Sequence, residues 1–193
     1  TRSKGSILKF KNQNYTLQNA NELPDCDFTL LATDSDISMQ YAKTARLHSR
    51  FVIDNSSAFR LKKDIPLVIP EINFTLPTNI NLISNPNCST AICAIPLYLL
   101  NKYYGLKRIR ICTYQSVSGS GKKGLAALDG VKSDIYKYDI RATCIPQIGE
   151  FDKYNYTTEE NKLRDELRKI LSVPYLPISS TCVRVPVKHC HAL

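Results

Sequence analysis

Short apolar runs alternate along this chain with longer amphipathic stretches, the pattern of a mixed α/β protein. FTLLAT (28–33) is a compact apolar run, and residues 34–46 behind it carry helical spacing. RFVIDNSSAFR (50–60) supplies a second short strand, FVID, that runs into a polar turn. PLVIPEIN (66–73) and INLISN (80–85) read as two further extended segments. Strands separated by one helix-length segment predict crossover units and a parallel sheet. The glycine-rich turn that opens a dinucleotide fold is not seen, because Gly5 is the only glycine before Gly105. Either the fold is of another kind or its first unit lies upstream of residue 1.

The second half alternates in the same way. STAICAIPLYLLNKYY (89–104) reads as a helix, with Ser89 or Thr90 as its cap, Gly105 as a left-handed stop and Pro96 as a kink. RIRICTY (108–114) is a strand by its β-branched alternation. Residues 157–171 form a second helix: Thr157 and Glu160 have capping-box spacing, and Leu163, Leu167, Ile170 and Leu171 make one apolar stripe. Glu166 lies beside that stripe, with Lys169 one turn on. TCVRVPV (181–187) alternates as a strand that places Cys182, Arg184 and Pro186 on one face.

Composition narrows the class. With 193 residues, 43% hydrophobic and 22% charged, the chain has material for one domain or two small ones and is too apolar to be disordered. No apolar run approaches the ~20 residues of a membrane span, and the first residues lack the apolar stretch of a secretory signal. The net charge of +9 comes from short basic groups interleaved with acids, with no basic block or zinc-finger spacing. Such spread charge is a solvated surface, and small anions suit it better than a nucleic acid. The seven cysteines form no CxxC pair, which fits reduced thiols in the cytosol. Most are expected to be small buried hydrophobes.

SNPNCST (84–90) is the stretch richest in chemistry. A cysteine between a polar turn and a helix start meets free backbone N–H groups and the positive end of the helix dipole. Both favour a thiolate, and the same N–H groups can stabilise an oxyanion. The plainer reading makes Cys88 a cap-region residue with no chemistry. Of the three histidines, His48, His189 and His191, the HCH run at 189–191 lacks a second ligand cluster. Read as a strand, it also turns Cys190 to the opposite face from both rings. A histidine partner for Cys88 is the simpler functional reading. SGSGKKG (118–124) matches a dinucleotide fingerprint superficially, but no clean βαβ unit follows it.

Taken in order, VIDNSSAFRLKKDIPLVIPEIN (52–73), SNPNCST (84–90), CTYQSVSGSGKKG (112–124) and TCVRVPVKHCHA (181–192) closely resemble the bacterial aspartate-semialdehyde dehydrogenases. The resemblance implies an α/β chain: a partial NADP-binding, Rossmann-like domain over 1–87, then an α+β catalytic and dimerisation domain over 88–193. It implies Cys88 as nucleophile, Asn87 beside the oxyanion, Gln115 in the active site and His191 as acid/base. Arg184 matches the arginine for the substrate carboxylate and Glu166 the glutamate for its amino-acid end. Arg60 and Lys169 match the basic residues at the phosphate. Arg2 and Ser3, together with Ser118 and Gly119, match cofactor-binding positions. The implied reaction interconverts L-aspartyl 4-phosphate and L-aspartate 4-semialdehyde with NADP, through a thioacyl cysteine. The implied protein is a cytoplasmic homodimer or homotetramer that acts on a small substrate and phosphate, without metal, membrane or nucleic acid.

LATDSD (31–36) departs from the family's small-residue turn near the cofactor, and the chain resembles an internal fragment of a longer enzyme. Three other readings compete: a related reductase acting on N-acetylglutamyl phosphate, a cysteine hydrolase using Cys88 and His191, and a non-catalytic paralogue kept for dimerisation.

Overall fold

The computed structural model describes residues 4–75 and 79–193. Arg2 and Ser3 lie outside them. The chain divides into two units, Thr1–Val68 with Thr75–Asn85, and Ile69–Phe74 with Pro86–Leu193.

The first unit begins with an antiparallel hairpin, β1 (Ile7–Phe10) and β2 (Gln13–Thr16). Its two-residue loop holds Lys11 at φ 45° and Asn12 at φ 63°, the geometry of a type I′ turn. The parallel sheet then follows: β3 (Cys26–Leu31), helix α1 (Ser35–His48), β4 (Ser49–Asp54) and β5 (Leu82–Ser84), with strand order β3-β4-β5. Leu31, Ala42, Ala45, Val52 and Leu82 bury the seam between α1 and the sheet.

Residues 66–73 differ from the extended segment expected of them. Leu67 makes a single parallel bridge to Ser84. Pro70–Asn73 then turn into one helical turn, α2. Pro70 stands at its start, where the missing N–H costs nothing, and the Asn73 Oδ1 accepts the Ile69 N–H at 2.9 Å.

In the second unit, α3 (Cys88–Tyr104) leads into β6 (Ile109–Gln115). Gly105 stops α3 at φ 68° and gives its N–H to the Asn101 carbonyl. The cap at the other end is Asn87 rather than Ser89 or Thr90, and α3 continues through Pro96. A 3-10 turn, Val117–Ser120, and α4 (Gly121–Leu128) follow β6. Val117, Ile140 and Ile145 form a small core there. Helix α5 (Thr158–Ile170) and β7 (Ile178–Arg184) complete the unit.

β6 and β7 pair in parallel over their full length, ending on Gln115 opposite Arg184. β7 therefore ends before Pro186, which is exposed and is not part of the strand face. The capping box of α5 is present as expected, and Leu163, Leu167, Ile170 and Leu171 are buried. Of the seven free thiols only Cys93 and Cys182 are buried, whereas most were expected inside. Alternation explains one of the exceptions: Cys112 sits on the outward face of β6.

Truncating Leu167, which is fully buried on α5, is expected to cost about 2–5 kcal/mol, whereas Thr157→Ala removes one cap and costs about 1 kcal/mol. Urea unfolding followed by helix ellipticity checks the order, and equal costs would contradict the packing described.

Candidate active site

Cys88 is the first residue of α3 and is exposed. What fixes it is its neighbour. Asn87 is 9% exposed, and each of its polar groups has a partner. Its Oδ1 accepts the N–H groups of Ser89 at 2.8 Å and Thr90 at 3.3 Å, which caps the helix. Its carbonyl accepts the Ala91 N–H. Its Nδ2 donates to Glu159 Oε1 at 2.9 Å, and its backbone N–H donates to Glu166 Oε2 at 2.7 Å.

Both carboxylates come from α5. Glu159 also accepts a hydrogen bond from Gln115 Nε2 at 3.1 Å, and its Oε2 lies 3.7 Å from Lys162 Nζ. Gln115 Oε1 in turn accepts from the Thr113 hydroxyl at 3.0 Å. Asn87, Glu159 and Gln115 thus form one buried network from the helix start to the end of β6, satisfied at the groups that would otherwise be costly to bury.

The strand register extends the site. Arg184 faces Gln115 across the β6–β7 pair, is 5% exposed, and donates from Nη1 to the Ser116 carbonyl at 2.6 Å. The Ser116 N–H donates to His191 Nδ1 at 3.1 Å. His191 reaches this point because residues 189–191 do not form the strand expected of them. Cys190 is left-handed at φ 70°, and Ala192 makes an isolated antiparallel bridge to Tyr114. Gly119 closes the group: a Cβ there would meet Arg184 Nη1 at 2.9 Å and His191 Cε1 at 3.5 Å. Ser118 bonds the Ser116 hydroxyl through its own, at 3.0 Å.

The network joins Asn87, Gln115, Arg184 and His191, with Cys88 next to Asn87 in the chain, and Glu166 meets it at the Asn87 N–H. Glu166 is 1% exposed and turned to the Asn87 backbone. Lys169 is partly buried, and that burial lowers its pKa. The pair beside the Asn87 and Gln115 side chains is Glu159 and Lys162, with the same spacing seven residues earlier on α5. Two adjacent acids in a first helical turn read from sequence as dipole compensation, which hid Glu159. In the first unit, Arg60 is buried and donates from Nε to the Asn85 carbonyl and from Nη2 to that of Asn55, both at 2.9 Å.

The titrating groups sort themselves by environment. Burial pushes the Cys93 and Cys182 thiols up to about 11, so both stay protonated, while Cys88 meets solvent. His191 is held below the ordinary histidine value, by burial first and also by the Arg184 charge. The Cys190 carbonyl and the Glu159 carboxylate oppose that shift.

Comparison with known proteins agrees with this arrangement. Residues 1–80 match the model for the semialdehyde dehydrogenase NAD binding domain, and residues 97–193 match that for the semialdehyde dehydrogenase dimerisation domain. The chain belongs to the semialdehyde dehydrogenase family. It is 37% identical to aspartate-semialdehyde dehydrogenase 2 of Vibrio cholerae and 35% identical to the aspartate-semialdehyde dehydrogenase of Bacillus subtilis, covering 99% of this chain and 61% of each relative. The Vibrio cholerae aspartate semialdehyde dehydrogenase II solved in complex with ASA superposes with a TM-score of 0.90 at 36% identity, over 98% of this chain and 61% of that one. The chain thus spans about three fifths of the length of these relatives. The α/β class expected from sequence, a Rossmann-like nucleotide domain followed by a dimerisation domain, is that of the family. Among the described residues no helix is long and apolar enough to cross a membrane.

The depressed histidine sets a sign for stability against pH. Below about 6.5 the unfolded chain takes up a proton that folded His191 resists, so this contribution is complete above that pH and lost as pH falls toward the folded value. Urea midpoints measured from pH 7.5 down to 5.5 are expected to fall more steeply in the wild type than in His191→Gln. Parallel curves would contradict the shift.

Proposed function

We propose that the protein carrying this chain is an NADP-dependent aspartate-semialdehyde dehydrogenase that reduces L-aspartyl 4-phosphate to L-aspartate 4-semialdehyde, reversibly. The observation that carries this reading is an exposed cysteine at a helix start, held by an asparagine whose side chain shares one glutamate with Gln115. The relatives named for this activity, and the Vibrio cholerae structure with ASA, support the substrate class.

In the proposed chemistry the Cys88 thiolate attacks the acyl carbon, the S–C bond forms, and phosphate leaves with the electrons of the C–O bond. The Cys88 N–H and the His191 ring are the donors proposed for the acyl oxygen as it gathers charge, since the N–H groups of Ser89 and Thr90 are taken by Asn87 Oδ1. Arg184 offers a guanidinium fork for the substrate's α-carboxylate. Glu159 is the better-placed partner for its α-ammonium group, in the role that the resemblance gave to Glu166, and Lys162 takes that of Lys169 at the anionic end. Glu166 supports the turn before Cys88 by accepting the Asn87 N–H. Arg60 fastens the carbonyls of residues 55 and 85 and so shapes the loop behind it.

The family's nucleotide domain implies NADP, and residues of the first unit fit part of it. Asp34, the N-cap of α1, makes no side-chain cap bond, which leaves first-turn N–H groups open to a ligand. Hydroxyls of Thr33, Ser35 and Ser57 stand after β3 and β4, with Ser35 and Ser57 bonded at 2.9 Å. These suit a sugar or carboxamide, whereas Asp34 and Asp36 disfavour phosphate at the same place. In the second unit Ser118 and Gly119 match cofactor-binding positions of the family's motif. When bound, NADP supplies the hydride that takes the acyl group to the aldehyde level. A homodimer built through the dimerisation domain, in the cytoplasm where seven free thiols stay reduced, completes the reading.

The test is phosphate-dependent reduction of NADP by aspartate semialdehyde, run with the intact protein. Wild type is expected to turn over, Cys88→Ser to lose turnover, and N-acetylglutamate semialdehyde to be a poor substrate. Turnover independent of phosphate would remove the acyl-phosphate reading. Glu159→Gln is expected to raise KM for the semialdehyde tenfold or more, since a hydrogen bond to a charged group contributes about 1.5–3 kcal/mol. An unchanged KM would return the amino group to another partner.

A further inference from the structure

Ser116 occupies an unusual place at the end of β6. Its backbone N–H makes no ladder bond to β7, since the next pairing bond runs from the Val185 N–H to the Gln115 carbonyl. It points instead at His191 Nδ1, 3.1 Å away. A backbone N–H cannot turn its proton aside as a hydroxyl can. A proton on Nδ1 would therefore stand head-on against it, which disfavours both the Nδ1–H tautomer and the imidazolium in this position. The Ser116 hydroxyl, 3.2 Å from the same nitrogen, is a second group able to donate to it.

The other edge of the ring borders Gly119. A Cβ at residue 119 would lie 2.9 Å from Arg184 Nη1, 3.5 Å from His191 Cε1 and 3.6 Å from Nε2, so a side chain there would crowd both the guanidinium and the ring. Charge acts on the ring from several sides. The Arg184 guanidinium, anchored to the Ser116 carbonyl, opposes protonation, while the Glu159 carboxylate and the Cys190 carbonyl favour it.

We propose that Ser116 is a positioning residue that locks His191 as the neutral Nε2–H tautomer, so that the free protein presents a proton donor to the substrate carbonyl rather than a base to Cys88. The proposal rests on the dehydrogenase reading for its use and on the Ser116–His191 geometry for its existence. In the locked tautomer Nε2 has no lone pair with which to accept the thiol proton. The proton of Cys88, which is exposed, has then to leave to solvent rather than to the ring. The Nε2–H then donates to the acyl oxygen as the S–C bond forms and negative charge collects there. The division of labour resembles that of an isomerase whose neutral histidine polarises a carbonyl while another group takes the proton.

The test reads the proton directly, without substrate or cofactor. In protein labelled with 15N at histidine, the ring signals lost in His191→Gln belong to His191. At pH 7.5 they are expected to show the Nε2–H pattern alone; an Nδ1–H or imidazolium pattern overturns the proposal. Ser116 has φ −65° and follows an extended residue, so proline fits its backbone while removing the N–H. Ser116→Pro is expected to release the lock and give mixed tautomers, with Ser116→Ala keeping the single one. A single Nε2–H tautomer in Ser116→Pro would show that another group holds the ring. Alkylation of Cys88, followed by mass spectrometry across pH, is expected to keep its midpoint in His191→Gln. A large upward move would reveal a thiolate–imidazolium pair and overturn the proposal. Because none of these measurements uses turnover, they can fail while dehydrogenase activity stands, and the converse also holds.

Discussion

Everything at the head of α3 depends on how Asn87 is held. One residue closes a helix with its side-chain oxygen, joins Glu159 with its side-chain nitrogen, and joins Glu166 with its backbone N–H. A buried carboxylate without partners costs several kcal/mol, so each of the two glutamates needs a donor, and Asn87 supplies one to each. The need is mutual. The capping amide can take one orientation only, because its nitrogen must face a carboxylate and its oxygen must face two N–H groups. Cys88 inherits that fixed geometry one residue later.

The parallel pairing of β6 and β7 does the corresponding work on the other side. Register is strongly specified when one face is buried, since a slip of one residue would turn every side chain over. Here it sets Gln115 opposite Arg184. Gln115 reaches back to Glu159, and Arg184 reaches forward to the Ser116 carbonyl, which brings the His191 loop into the same group. Two strand ends and one helix start therefore converge on a site whose donors are already aligned before a ligand enters. Such preorganisation is what makes fixed dipoles effective against developing charge.

What the sequence disclosed followed from how local each signal was. The capping box of α5 and the stop at Gly105 are set within four residues of chain, and both stand as read. The β1–β2 hairpin escaped notice because its turn is Lys11-Asn12, with no glycine to advertise positive φ. Residues 66–73 looked like a strand by composition, yet a proline at a helix start and an asparagine capping backward make them a turn. The 189–191 run looked like a strand too, until a left-handed Cys190 reversed it. Cys88, Asn87, Gln115, Arg184 and His191 are the residues that the motifs single out. Ser116 is not among them, because its part is played by a backbone N–H that every residue except proline possesses.

Helix α5 shows why pattern does not separate two candidate glutamates. Glu159, Leu163, Glu166 and Ile170 recur at intervals of four, three and four residues, so all four lie on one buried face. Periodicity identifies that face but treats its acids as boundary residues. Two Glu-x-x-Lys pairs, 159/162 and 166/169, then look equivalent, and only tertiary contact separates them. Glu166 meets a backbone N–H, a contact that holds a turn. Glu159 meets two side-chain amides, one beside the nucleophile and one at a strand end, and carries Lys162 at its second oxygen. Both amides bond Glu159 Oε1, so Oε2, 3.7 Å from Lys162 Nζ, can meet an incoming ammonium group, whereas Glu166 is tied to the main chain at the helix start. That difference, rather than spacing or burial, is what favours Glu159 over Glu166 in the proposed recognition of the substrate's amino group.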